Sequence, residues 1–269
     1  MADFLYERDG SIYAPTRWAG SPWSRTSQHG APVNALFMRA ARNAAEETGL
    51  RVARLTVDLL KPVPLAPLLL QTHFLRRGRR LAVFQADLVR PSDGDVVSSA
   101  RAVLLAGRDE LGATWDPPSN SPSGPDGLEA MDFLPADWRD HAPPGFHWSV
   151  EMRRSSNASG PAVWATSPLD LVEGEPMAPL ERLAAIADIA FGASLHLLPP
   201  PRDGQGAPRG MLINTDTTVH VERMPEGEWF ALADAFVADR AGIGVARVAL
   251  YDHRGRVATA AQTLLANAG

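Results

Sequence analysis

The chain has 269 residues, 45% of them hydrophobic, enough to bury a large core as one domain or as two of roughly 130 residues. Its formal charge of −5 leaves no clustered basic surface for nucleic acid, and the absence of cysteine excludes disulfides, a thiol nucleophile and any Cys-ligated metal. The N-terminal MADFLYERDG lacks the basic-then-apolar pattern of a signal sequence, and no apolar run approaches the ~20 residues of a membrane span. The expectation is a soluble, cytoplasmic protein with no nucleic-acid or membrane partner.

In chain order, FLYERDGSIYAP predicts a hairpin around Asp9-Gly10, because Asp-Gly between alternating segments is a strong turn signal. A helix from Pro32 to about Glu47 follows, stopped by Gly49. Three strands are predicted near 52–61, 67–76 and 80–90, and a fourth near 95–105 after the Ser-Asp-Gly turn at 92–94. DPPSNSPSGPDG, residues 116–127, is too rich in Pro, Ser and Gly to pack and reads as a flexible connector. Strands then recur near 147–153, 161–167, 211–222, 228–238, 243–251 and 256–266, with a second helical segment, APLERLAAIADIAFG, from 178.

The two halves repeat one another. RLTVDLLKPVP at 54–64 matches TDTTVHVERMP at 215–225 at an offset of 161, and APVNALFMRAA at 31–41 matches APLERLAAIAD at 178–188 at an offset of 147. The difference of 14 fits a longer loop in the second half, PPPRDGQGAPRG at 199–210. A central apolar helix with several antiparallel strands implies a sheet curled around its helix. The predicted class is therefore α+β, with one such unit over residues 1–107, a connector over 108–145 and a second unit over 146–269. A cleft between the halves would be a natural ligand site.

Asp188 is the only ionisable residue between Leu183 and Leu195. A carboxylate in an apolar helix is costly unless paired, and burial should raise its pKa, which suits a general base. The structural alternative is a carboxylate that caps a loop or pairs with an arginine. Gln262 shares a strand face with Ala258, Ala260 and Leu264, where its amide either orients a water or satisfies backbone. Simple alternation places Asn214, Asp216, Thr218 and His220 on one polar face. By the repeat, Asp188, Asn214 and Gln262 correspond to Ala41, Ala53 and Arg101, so the polar set belongs to one half.

His29-Gly30-Ala31 precedes the first helix, where the amides of Gly30 and Ala31 could form an oxyanion hole, or Gly30 could simply permit close chain approach. His29 reads as structural more readily than as a base. LRRGRRL at 75–81 brings Arg76 and Arg77 to a Gly turn, as a clamp for ligand phosphates or as a solvated hairpin tip. There is no GxSxG, HExxH or GxxxxGK motif and no metal-ligand spacing, so no metal is predicted.

The pattern resembles the TesB-like acyl-CoA thioesterases, the thioesterase II family, which have a double (tandem) hotdog fold. The resemblance rests on SPW at 21–23, QHGAPVNALFMRAA at 28–41 and RLTVDLLKPVPLAPL at 54–68 in the first half. In the second it rests on VEGEPMAPLERLAAIADIAFG at 172–192, INTDTTVHVERMPEGEW at 213–229, GIGVARVALYDHRGRV at 242–257 and AAQTLL at 260–265. It implies hydrolysis of an acyl-CoA to free acid and CoA by an activated water, without a cofactor. It also implies an Asp on the second helix, a Thr or Ser on a following strand and a Gln on the last strand. By position these are Asp188, Asn214 and Gln262. Asn214 departs from the hydroxyl pattern, and the neighbouring Thr215 points to the opposite face of a regular strand. Two rivals remain: a hotdog hydratase or dehydratase using Asp188 with His196, and a non-catalytic acyl-thioester-binding protein. Hotdog sheets often associate further, so a homodimer is expected.

Overall fold

The computed structural model describes residues 3–112, 121–134, 141–157, 160–198 and 211–267. Strands β1 (Phe4–Asp9) and β2 (Ile12–Pro15) form the hairpin around Gly10, and helix α1 (Gly30–Thr48) follows. The strands β3 (Arg51–Asp58), β4 (Leu68–Arg76), β5 (Leu81–Val89) and β6 (Val96–Leu105) complete the first unit. After β7 (Glu129–Met131), the second unit begins with β8 (Glu151–Asn157) and β9 (Gly160–Thr166). Two short strands, β10 (Asp170–Val172) and β11 (Glu175–Pro176), lead to helices α2 (Pro179–Asp188) and α3 (Ala190–Leu197). It closes with β12 (Met211–Asn214), β13 (Asp216–Val221), β14 (Phe230–Arg240), β15 (Ile243–Asp252) and β16 (Gly255–Asn267).

Among the described residues all sixteen strands belong to one sheet, in which β2-β4-β5-β6-β3 is followed directly by β13-β16-β15-β14-β9. The matching orders are the sequence repeat in three dimensions, each arm curled over its own helix. The seam is the antiparallel pair β3–β13, with Leu55 opposite Val219 and Val57 opposite Thr217. A second link crosses the halves, since β1 pairs in parallel with β10. This architecture is the pair of α+β units that the repeat predicts, in the tandem hotdog arrangement that the resemblance implies.

Helix α1 is Ala-rich on its buried side and ends where Gly49 adopts φ +67°, its N–H returning to Ala45 and Glu46 carbonyls. It packs along α2, and one continuous apolar core runs through both halves. The helix pair is pinned by charge as well. Glu181, fully buried, accepts from Arg39 Nε and Nη2 at 3.0 and 2.8 Å and from Arg42 Nε at 3.0 Å. Its second oxygen also accepts from Ala178 N–H at 3.0 Å, so the buried carboxylate is fully engaged.

Three departures from the sequence reading bear on the site. Helix 178–192 is not continuous: α2 ends at Asp188, Ile189 sits at φ −83°, ψ 9°, and α3 restarts at Ala190. The strand expected over 211–222 is interrupted at Thr215, where residues 215–217 stand opposite only 262 and 263 of β16. That is a β-bulge, and the extra residue reverses the alternation beyond it. The described part of the connector is packed rather than free. Ser123 O accepts from the buried Trp164 Nε1 at 2.6 Å, Pro125 O accepts from Arg153 at 3.0 Å, and β7 pairs with β8. The loop at 199–210 and residues 113–120 of the connector lie outside the described residues.

Candidate active site

The site forms where the N-terminus of α1 meets the C-terminus of α2. Asp188, 6% exposed, is held on both oxygens. Its Oδ1 accepts from Asn214 Nδ2 at 2.9 Å and from Thr217 Oγ1 at 3.3 Å. Its Oδ2 lies 3.1 Å from His29 Nδ1, contributed by the other half of the chain. Gly30 makes this approach possible: a Cβ there would sit 2.4 Å from Asp188 Oδ1. Of the two readings of Gly30, close approach is the one the geometry displays, and the partner it admits is the candidate base itself.

Gln262, 1% exposed, is engaged at both ends of its amide. Its Nε2 donates to Asp188 O at 2.7 Å and to Thr217 Oγ1 at 3.1 Å, and its Oε1 accepts from Phe191 N–H at 3.0 Å. These bonds span the break between α2 and α3, replacing helical hydrogen bonds that the break removes. Both amide protons are thereby used, so the donors of the side chain hold the helix break and the Thr217 hydroxyl. A directed chain results: Gln262 donates to Thr217, and Thr217 donates to Asp188.

Thr217 is the residue sequence reasoning missed. Because of the bulge, Asn214 and Thr217 share the inward face, whereas regular alternation grouped Asn214 with Asp216, Thr218 and His220. Thr218 instead donates to Thr56 across the outer seam at 3.1 Å. Thr215 does not join the site: its hydroxyl lies 3.4 Å from Thr263 O and 3.5 Å from Asp216 Oδ1. The hydroxyl expected beside Asp188 is thus present, two residues beyond Thr215. The only sequence signal for it was the run of hydroxyl residues in TDTT, which carries no register.

His29 caps α1, its Nδ1 accepting from Ala31 N–H at 3.1 Å. Its ring packs against Phe146, in the 3-10 turn Phe146–Trp148, at 5.5 Å between centroids, and against Phe133 at 6.5 Å. Next to Phe146, His147 is buried, and burial first, then the proximity of His29, lowers its pKa to about 3, keeping it neutral. His196 lies beyond the helix break and makes no contact with Asp188 among the described residues, so the histidine paired with Asp188 is His29. Burial also lowers the His196 pKa.

Arg76 and Arg77 are not brought to this site. Arg77 pairs with Glu47 at 2.6 Å and covers the Phe74 ring at 4.9 Å. Glu47 is at the far end of α1, about 25 Å from Gly30 at 1.5 Å rise per residue. Arg76 ends β4 in an exposed position on the same hairpin. Among the described residues no group of three or more His, Asp or Glu could hold a metal ion, and no helix is long and apolar enough to cross a membrane.

Comparisons with known proteins identify the family. The model of the acyl-CoA thioesterase N-terminal domain matches residues 19–105, and that of the acyl-CoA thioesterase C-terminal domain matches residues 112–266. Together these cover most of the chain, which belongs to the acyl-CoA thioesterase family and is a thioester hydrolase. No curated protein matches the sequence. Among solved structures, a hot dog fold protein of unknown function from Alicyclobacillus acidocaldarius superposes with a TM-score of 0.68 at 18% identity, covering 98% of this chain and 96% of its own. The acyl-CoA thioesterase II TesB2 of Mycobacterium marinum gives 0.66 at 16% identity, with 98% and 95% covered. The tesB protein of Mycobacterium avium subs paratuberculosis gives 0.64 at 15% identity, with 97% and 96% covered. At such identities the likeness is one of fold.

Proposed function

We propose that the protein hydrolyses acyl-CoA thioesters to free acid and CoA, with Asp188 activating the attacking water. The observation that carries this reading is the position of the Asp188 carboxylate. It is buried, oriented by Asn214 and Thr217, and set against the N-terminus of the other half's central helix. A base held against amide donors is the arrangement that acyl transfer to water requires.

In this reading a water gives its proton to Asp188 as its oxygen bonds to the acyl carbon. The carbonyl oxygen, gaining negative charge, is met by amides of Gly30 and Ala31 at the positive end of α1. Collapse breaks the C–S bond, and the departing thiolate takes the proton from Asp188. Asn214 and Thr217 fix the carboxylate, and Gln262 fixes both Thr217 and the helix break. Asn214, standing where the family pattern has a hydroxyl, supplies an amide donor to Asp188 while Thr217 supplies the hydroxyl. CoA esters are intracellular metabolites, so this activity belongs in the cytoplasm.

The test is thiol release from acyl-CoAs of graded chain length by wild type and Asp188→Asn. A loss of about a hundredfold or more in the variant, with folding intact, is expected of a positioned general base. No thiol release from any acyl-CoA by the wild type overturns the reading. Measurable acyl-CoA binding alongside that failure would make the protein a binding module.

A further inference from the structure

One atom, His29 Nδ1, carries two contacts that cannot both be hydrogen bonds while Asp188 is an ionised carboxylate. It lies 3.1 Å from Ala31 N–H, which can only donate to it, and 3.1 Å from Asp188 Oδ2. An imidazole nitrogen either presents a lone pair or carries a proton. With the lone pair turned to Ala31, the contact with Oδ2 is a hydrogen bond only when the carboxyl holds the proton. With the proton on Nδ1, it donates to the Asp188 carboxylate, and Ala31 N–H loses its acceptor.

We propose that His29 is a positioning residue for thioester hydrolysis: the proton it shares with Asp188 decides both whether Asp188 is a base and whether Ala31 N–H is free for the acyl oxygen. This rests on the thioesterase reading above. Transfer of the proton from Oδ2 to Nδ1 leaves a carboxylate beside an imidazolium and releases the amide in the same event. Water then loses its proton to Asp188, its oxygen bonds to the acyl carbon, and the carbonyl oxygen accepts from Ala31 N–H. When the C–S bond breaks, the thiolate takes the proton from Asp188, and the dyad returns to its starting charge. The step balances within the two side chains, water and thioester.

The surroundings suit a proton confined to this pair. The groups packed on the His29 ring are Asp188 from α2, Phe146 and His147 from the 3-10 turn, and Phe133 from the segment after β7. His147 is buried and neutral, so it offers no charge to compete for the carboxylate. Gly30 leaves no room for a side chain to come between the dyad and the helix end.

The discriminating experiment ranks two substitutions. Asn caps a helix N-terminus better than Ala, so a purely structural role for His29 places His29→Asn above His29→Ala in both stability and rate. The shared-proton role inverts the rates. The Asn carbonyl holds Ala31 N–H permanently, and kcat falls about a hundredfold, as on losing one oxyanion donor. His29→Ala leaves that amide free and loses only about tenfold. Rates that follow the stabilities overturn the proposal. NMR reads the coupling without turnover: the Ala31 amide and the His29 ring-nitrogen resonances move together between wild type and Asp188→Asn. An Ala31 amide resonance that ignores Asp188→Asn overturns the proposal as well. Failure of the wild type to release thiol removes the thioesterase reading alone, because the NMR coupling still stands or falls by itself.

Discussion

Gly30 and Asp188 touch across the boundary between the two halves: a Cβ added at Gly30 would meet Asp188 Oδ1 at 2.4 Å and its Cγ and Oδ2 at 2.8 Å. The φ of Gly30 is not in the left-handed region, so space alone demands glycine here. Gly30→Ala must displace the carboxylate from Asn214 and Thr217 or move α1 away. We expect a modest stability cost of about 1–3 kcal/mol from overpacking, with kcat down about a hundredfold as the base leaves its position. Thermal melting beside thiol release checks both; full activity in Gly30→Ala would show that the carboxylate position does not matter.

The bulge at Thr215 makes a paired prediction. Thr217→Val removes the hydroxyl that links Gln262 to Asp188 and leaves Asn214 as the only side-chain donor to Oδ1. A loss of about tenfold in kcat or more is expected, together with about 1–3 kcal/mol for the unsatisfied Gln262 donor. Thr215→Val touches neither partner, so its kcat stays within about twofold of wild type, in the range of substitutions away from such features. Steady-state kinetics on the two variants decide which register the strand adopts, and the reverse ranking would refute the bulge.

Much of this architecture is legible in the sequence because its determinants are local or periodic. Gly10 and Gly49 mark a hairpin and a helix end, and the repeat orders the two arms. What escaped depends on distant partners. The break at Ile189 is bridged by Gln262, 74 residues away from Asp188, and nothing within RLAAIADIAFG announces it. The bulge is a mismatch of lengths between two strands, invisible to the alternation of either one. His29 reads only as structural in the sequence; its role as the cap of α1 and its second partner on the other half's helix emerge from the structure. The low-complexity composition of the connector concealed that backbone carbonyls, which composition does not describe, serve Trp164 and Arg153.

Gln262 offers a way to separate holding the fold from orienting water. In Gln262→Leu the volume is similar, but Asp188 O and Phe191 N–H lose their partner at the helix break and Thr217 loses its donor. Each buried group left unsatisfied costs about 1–3 kcal/mol, so the variant should melt well below wild type as well as turn over slowly. A Gln262→Leu protein as stable as wild type yet inactive would contradict the structural role and return Gln262 to water orientation.

His147 gives the acid limb of stability a specific source. Its ring is buried near His29, and its pKa falls from the ordinary 6.5 to about 3, burial being the larger cause. The unfolded chain takes up a proton on this ring below pH 6.5, while the folded chain refuses it until about pH 3. Stability contributed by the neutral ring is therefore complete above pH 6.5 and declines as pH falls toward 3, by up to about 1.4 kcal/mol per pH unit for one group. His196, also lowered by burial, adds a term of the same sign, so the wild-type curve alone does not isolate His147. His147→Gln does, since it removes one titrating ring and leaves the other. Urea midpoints at pH 7.5 and pH 5 should differ less in His147→Gln than in wild type, by about 2 kcal/mol of stability over that interval. An equal acid sensitivity in the two proteins would mean that the His147 ring takes up its proton as readily folded as unfolded.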